Sequence, residues 1–341
     1  MKALIVAPSW IGDTVLAQPL FRRLHERTPG LQLDALAPRW VAPVLERMPE
    51  ITQLVDSPFA HGESVAASTS SPGAPTGGGR LPAGLRPAQF TEISAGAVLR
   101  RHSRTHRLCR RKRYGLINQR HTLDKTLLPQ MAERFAQLAE TPGAPLPRPL
   151  PLPRLTSSRE QGAATRAELA IDRPEKLAVF CPGAEYGPAK RWPARISRPW
   201  PMPWHHVATP SGCSARPRTG RSARTSSAAP IAARLPLNFC GATSLRQAID
   251  LLAAASFVVC NDSGLMHVAA ALGRPLIASM ARRHPASRRR CRSRPGSSAC
   301  ISNAARASSA NARWVISTAS TRLEPQRVLD ACLRFPGQVS G

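Results

Sequence analysis

The chain has 341 residues and a formal net charge of +28, from 48 Lys and Arg against 20 Asp and Glu. That length suits two domains, each large enough to bury its own core. No apolar run reaches about 18 residues, so no spanning helix is expected; the eight cysteines form no C-x-x-C pair and no Cys/His metal spacing, which points to reduced thiols and away from a zinc site.

Residues 1–6 resemble the start of a signal peptide, but the apolar run stops at Pro8-Ser9 and Asp13 follows without a cleavage site, which predicts a mature cytoplasmic start. Residues 3–7 predict a buried strand and residues 8–13, PSWIGD, a loop. From 14 to 27, Val15, Leu16, Leu20, Phe21 and Leu24 share one helical face, with Arg22, Arg23 and Arg27 off it. Residues 31–37 alternate Leu31, Leu33 and Ala35 as a second strand. A short helix over 41–48 and a third strand over 53–55 complete a βαβαβ order, the pattern of an open parallel sheet. The spacing predicts an amphipathic helix over 126–138, with Leu127, Met131, Phe135 and Leu138 on one face. Pro129 falls in its first turn, where a missing N–H is tolerated. Residues 141–158, TPGAPLPRPLPLPRLTSS, carry six prolines and read as a stiff linker. This places an N-terminal domain over 1–140 and a C-terminal domain over 159–341.

The second half restarts the pattern. It predicts a helix over 161–169, a strand over 177–181 and a loop over 182–193. A short strand and turn over 238–241 precede a helix over 244–255, capped by Thr243 or Ser244. Residues 256–277 then read SFVVCNDSGLMHVAAALGRPLI. The apolar run 257–260 predicts a buried strand. Asn261-Asp262-Ser263-Gly264 supplies a turn with N-cap residues. Leu265, Met266, Val268, Ala269 and Leu272 follow at mostly helical spacing, Gly273 and Pro275 stop the helix, and a strand starts at 275. A final helix is predicted over 325–333.

The charge is not spread evenly. Block 64–113 holds ten basic residues and one acidic, block 194–233 six and none, block 279–320 nine and none. Outside them 23 basic residues face 19 acidic ones, an ordinary balance. The blocks are rich in Ser, Arg, Ala and Pro, lack long apolar periodicity, and read as disordered.

Several residues could carry chemistry, each beside a plainer reading. Asp13 precedes a helix at the carboxyl end of the first strand, where it is either a proton acceptor facing a crevice or a helix-start carboxylate. Asp262 and Ser263 either cap a helix or join its N-terminus in holding a phosphate. His267 is either near a ligand or a satisfied core histidine. Lys190 and Arg191 are either loop charges in solvent or cations for a diphosphate leaving group. Glu185 bonds either a sugar hydroxyl or water.

Three stretches together resemble one family. PSWIGD with its helix, CPGAEYGPAKRWP (181–193) and NDSGLMHVAAALGRPLIA (261–278) are similar to the signatures of the lipopolysaccharide heptosyltransferases, glycosyltransferase family 9, near their type II members. Residues 35–49, 113–138 and 323–333 also look family-like, and the whole covers about 200 residues in collinear order. The resemblance implies a GT-B fold, an α/β architecture of two Rossmann-like domains facing across a cleft. It implies inverting transfer of L-glycero-D-manno-heptose from ADP-heptose to the lipopolysaccharide inner core, as the second heptose. On that footing Asp13 would be the general base. Lys190 would contact the donor diphosphate, and Glu185 belongs to the same donor loop. Asp262, Ser263, Gly264 and Leu265 would hold the phosphates and nearby sugar, with His267 close by. No metal site and no cofactor are implied, although a divalent cation accompanying the diphosphate suits the chemistry. The expected partners are ADP-heptose and the core acceptor at the inner membrane surface, with no specific nucleic acid. The expected location is cytoplasmic, peripheral to that membrane face.

The three blocks have no family counterpart. Our hypothesis is that each is an out-of-frame reading of G+C-rich coding DNA, because such reading yields Arg, Ala, Pro and Ser with little Asp, Glu or Lys. A one-base shift across 64–113 that gave no family-like text would end that idea. On this view the blocks remove interior strands, and the chain as written is expected to fold poorly and show little activity. Two other readings compete: a basic nucleic-acid-binding protein on an α/β scaffold, and a GT-B transferase using a different nucleotide sugar. The first needs arginines set on helices or among aromatics, and the blocks carry few aromatics while their arginines keep no helical period.

Overall fold

The computed structural model describes residues 1–57, 97–100, 105–109, 119–171, 177–181, 183, 205–208, 239, 241–279 and 314–316. The chain divides into two compact units, Met1–Thr156 and Ser157–Gly341.

The first unit is built on β1 (Lys2–Val6), β2 (Gln32–Ala37), β3 (Gln53–Asp56), β4 (Ala97–Arg100), β5 (Thr105–Cys109) and β6 (Gln119–Thr122), in the order β3-β2-β1-β4-β5-β6. β1, β2 and β3 are parallel, as expected. β4 runs antiparallel to both β1 and β5, so the sheet is mixed rather than wholly parallel. The four residues between β4 and β5 are too few for a parallel crossover, which needs a dozen or more.

The helical stretch after β1 is two helices, α1 (Ile11–Leu16) and α2 (Gln18–Arg27). Pro19 in the first turn of α2 lacks the N–H that would continue α1, so the chain restarts at Ala17. Val15, Leu16, Leu20, Phe21 and Leu24 are all buried, as their spacing predicts. A short helix α3 (Ala42–Leu45) follows β2.

The predicted helix over 126–138 is corrected. Its helical part is α4 (Met131–Ala136), continued by a 3-10 turn over Gln137–Ala139. Pro129 and the Gln130/Glu133 capping box fix the later start. Ahead of it, Asp124 accepts from the amides of Thr126 and Leu127 at 2.7 and 3.3 Å, folding 124–127 into a turn. Leu127 is therefore 70% exposed while its neighbour Leu128 is 7% exposed. Phe135 and Leu138 are buried, but Met131 is exposed.

The proline-rich stretch is not a free spacer. The Gln18 side chain donates to the Arg154 carbonyl at 2.7 Å and accepts from the Arg154 amide at 2.6 Å. The Thr156 amide donates to the Arg47 carbonyl at 3.1 Å. Glu140, buried, pairs with Arg23 at 2.6 Å and with Arg27.

The second unit holds a parallel sheet of β7 (Leu177–Cys181), β8 (His205–Ala208), β9 (Phe257–Asn261), β10 (Leu276–Ser279) and β11 (Trp314–Ile316), ordered β11-β10-β9-β7-β8. All five residues of β9 are buried, as in a parallel strand covered on both faces. Around the sheet lie α5 (Arg159–Glu168), α6 (Leu245–Ala254) and α7 (Gly264–Ala271). Ser158 and Ser244 cap α5 and α6 through capping boxes with Gln161 and Gln247. Asp250 on α6, buried, accepts from Ser157 Oγ at 2.9 Å and Thr165 Oγ1 at 3.0 Å. α7 ends as its sequence predicts: Gly273 is left-handed at φ 71°, and the amides of Gly273 and Arg274 return to the carbonyls of Ala270 and Ala269, a Schellman closure.

β4, β5, β8 and β11 lie inside the composition-biased blocks. The expectation that those blocks remove strands is thereby corrected: β4 and β5 are interior, β8 and β11 form sheet edges. Backbone pairing needs no particular side chain, so composition alone did not forbid these ladders. The predicted helix over 325–333 lies outside the described residues.

Candidate functional site

In each sheet the strand order reverses beside its first strand, between β1 and β4 and between β7 and β9. Loops leaving the carboxyl ends of strands at such a point line the ligand crevice of open α/β sheets. Both candidate segments leave from there.

In the first unit, β1 runs into the loop 8–10 and then α1, with Asp13 in the helix's first turn. Asp13 is half-buried, and burial raises its carboxyl above the ordinary carboxylate range. Its side chain has no hydrogen bond or ion pair among the described residues. A carboxylate with lone pairs unspent and basicity enhanced is suited to accept a proton. The loop ahead of it is tightly held. Thr14 Oγ1, fully buried, lies 3.0 Å from the Pro8 carbonyl and 2.9 Å from the Trp10 carbonyl. Trp40 Nε1 donates to the Ser9 carbonyl at 2.8 Å.

In the second unit, β7 and β9 are direct neighbours with Cys181 opposite Cys260. The carboxyl ends of these two strands therefore lie side by side, and the turn 262–263 leaves from the second. Glu185 and Lys190 lie outside the described residues. In that turn, Ser263 is the N-cap of α7 in extended conformation, φ −140° and ψ 171°, yet its hydroxyl makes no capping bond. Ser263 Oγ is enclosed and has no hydrogen-bond partner among the described residues. The first N–H groups of a helix have no intrahelical acceptor, so Gly264 and Leu265 offer donors at the same end as this unspent hydroxyl. Together with the positive end of the helix dipole they suit a phosphate. The Leu265 side chain is buried, so only its backbone faces that site. Asp262 is half-exposed and His267 is buried within α7.

Cys181 and Cys260 are both buried, and neither is in a disulfide. Burial pushes the Cys260 thiol well above the usual thiol range, which makes it a packing residue and no nucleophile. Among the described residues no three His, Cys, Asp or Glu side chains cluster closely enough to hold a metal ion, and no helix is long and apolar enough to cross a membrane.

Sequence reasoning singled out Asp13 and 262–265 but missed Thr14 and Trp40. Thr14 had a local signal, a hydroxyl four residues after Trp10 in a nascent helix. Trp40 had none, because its partner lies 31 residues away.

Comparison with known proteins places this geometry among relatives. Residues 92–288 match the profile of glycosyltransferase family 9 (heptosyltransferase). The chain is 36% identical over 298 residues to lipopolysaccharide heptosyltransferase 2 of Salmonella typhimurium, covering 82% of each chain. It is 35% identical over 300 residues to the protein of the same name from Escherichia coli, again covering 82% of each. Among solved structures it is similar to the E. coli ADP-heptose lps heptosyltransferase II, with a TM-score of 0.66, 27% identity and 98% of each chain covered. A family 9 glycosyl transferase from Veillonella parvula shares the fold at a TM-score of 0.60 and 14% identity, over 97% of this chain and 95% of that one.

Proposed function

This chain belongs to glycosyltransferase family 9, the heptosyltransferases, a glycosyltransferase of GT-B type, and from that premise we propose its reaction and the residues that perform it. It transfers L-glycero-D-manno-heptose from ADP-heptose to the lipopolysaccharide inner core, as the second heptose, with inversion at the anomeric carbon. The observation that carries the reading is identity of about one third over most of both chains to proteins named lipopolysaccharide heptosyltransferase 2.

Asp13 takes the proton from the acceptor hydroxyl as that oxygen attacks the anomeric carbon. The bond from that carbon to the diphosphate breaks, and ADP leaves on the opposite face. The backbone N–H groups at Ser263, Gly264 and Leu265, with the Ser263 hydroxyl, hold the diphosphate, and Asp262 and His267 flank it. Lys190 neutralises the charge that develops on ADP, and Glu185 bonds a sugar hydroxyl. The N-terminal domain, 1–140, is the acceptor side, and the C-terminal domain, 159–341, is the nucleotide-sugar side. Dipoles already fixed at a helix end need no reorganisation when the diphosphate charge develops, which is where electrostatic catalysis gains most. No cofactor takes part, and a divalent cation serves only to accompany the diphosphate. The acceptor is a lipid, so the enzyme works from the cytoplasm, peripheral to the inner membrane face.

The test is a transfer assay with purified chain, ADP-heptose and a lipopolysaccharide core ending in a single heptose, following ADP release and the mass of the product. One added heptose is expected. Transfer from a different nucleotide sugar in preference to ADP-heptose would overturn the donor assignment, and ADP release without a heavier acceptor would overturn the acceptor assignment.

A further inference from the structure

α1 is a six-residue helix, too short to hold itself in water. Its N-cap residue, Trp10, makes no side-chain capping bond. The orientation of Asp13 is therefore set from outside the helix. Three consecutive carbonyls of the preceding loop are tied down. The Pro8 and Trp10 carbonyls lie within reach of Thr14 Oγ1, and the Trp10 carbonyl also accepts from the Thr14 amide at 2.9 Å. The middle carbonyl, Ser9, accepts from Trp40 Nε1.

Trp40 lies between β2 and α3, in the loop leaving the strand adjacent to β1. The indole N–H thus ties two neighbouring crevice loops together across 31 residues. Hydrophobic packing at this half-buried position asks only for a ring, and Phe supplies one. The N–H adds a directional bond to the backbone four residues before Asp13.

We propose that Trp40 is a positioning residue for the transfer reaction, acting through the Ser9 carbonyl to fix the 8–10 loop and hence the Asp13 carboxylate, with Thr14 as the second clamp. This rests on Asp13 being the general base. Misplacing a reacting group by about 1 Å costs on the order of 100-fold in rate, so the loss of one tie is expected to lower kcat by about tenfold or more, with the KM for the nucleotide sugar nearly unchanged.

The experiment is a double-mutant cycle on the full chain. Trp40→Phe keeps the ring and removes the donor. Thr14→Val keeps the shape and removes the hydroxyl, while Thr14→Ser keeps the hydroxyl. Each is measured alone and combined with Asp13→Asn. Positioning through Asp13 predicts that Trp40→Phe and Thr14→Val lower kcat in the parent, that Thr14→Ser restores most of the Thr14→Val loss, and that neither lowers the residual rate once Asp13 is Asn. The same factor lost in both backgrounds, or a loss confined to KM, would overturn the proposal. If Trp40→Phe does not fold, the Thr14 pair decides by the same criteria. Should Asp13→Asn itself retain the parent rate, the base assignment fails, and that result is distinct from a failure of the clamp.

Discussion

Replacing Asp13 by Asn separates function from stability at the proposed reaction centre. The side chains are nearly isosteric, and the Asp13 carboxylate makes no hydrogen bond or ion pair among the described residues. The Ala17 amide bonds the Asp13 backbone carbonyl at 2.9 Å, which the exchange leaves intact. The variant therefore removes one capability, proton acceptance. Positioned general bases contribute about 10²–10⁴-fold, or about 3–5 kcal/mol of barrier at about 1.4 kcal/mol per tenfold, so kcat is expected to fall by that factor. Stability is expected to move the other way. Burial raises the folded-state pKa of Asp13, so between the unfolded and folded pKa values the native state binds more protons. Stability then falls as pH rises through that window, and at neutral pH the ionised group carries its full desolvation penalty. Asn carries none, so Asp13→Asn should melt at a higher temperature at pH 7 and lose that advantage in acid. For the same reason the parent's rate should decline on the acid side at a pH above that of an ordinary aspartate. Steady-state transfer kinetics and thermal melts at several pH values check both. A rate within about threefold of the parent (against the 10²–10⁴ expected), or a melting temperature that drops at neutral pH, would refute the reasoning.

Ser263→Ala removes a hydroxyl that has no partner among the described residues. Thermal stability should hold or rise slightly, while the KM for the donor rises about tenfold, the scale of one hydrogen bond to a charged group; donor titrations read this directly. Glu140→Gln weakens the bonds of a buried side chain to Arg23 and Arg27; Arg27 is partly exposed and Arg23 keeps Glu26, so the cost should be about 1–3 kcal/mol, the scale of hydrogen bonds to charged groups; urea denaturation would report it. Leu128→Ala should destabilise by about 2–4 kcal/mol, whereas Leu127→Ala should stay within about 0.5 kcal/mol. Equal losses at the two positions would restore the longer helix that periodicity predicts.

Much of the candidate site is legible in local sequence signals. The stretch 256–277 carries strand, cap, helix and stop signals in succession, and each acts between residues a few positions apart. The same holds for β1 and for the capping of α6 by Ser244, whereas α5 starts at Arg159 behind a Ser158 cap, two residues ahead of the predicted start at 161. PSWIGD, CPGAEYGPAKRWP and NDSGLMHVAAALGRPLIA are dense enough to point to the family by themselves. Where local signals competed, the reading slipped. Pro19 split one predicted helix into two, and the Asp124 turn with Pro129 moved the start of α4 to Met131, placing Leu128 rather than Leu127 in the core.

Composition misled at the blocks. Arg, Ser and Ala fit a solvated coil, yet β4, β5, β8 and β11 pair there, because ladder bonds are made by backbone that every residue except proline carries in full. Strand order was the other decision left to the fold. Nothing local says that β9 lies against β7, or that β4 runs antiparallel to β1, since those ladders join residues dozens of positions apart and depend on which edges remain open as the sheet assembles. The burial of Asp13 and the bond from Trp40 to Ser9 arise the same way. A side chain's identity fixes which proton it can give or accept; its basicity and aim come from neighbours that only the folded chain brings within reach.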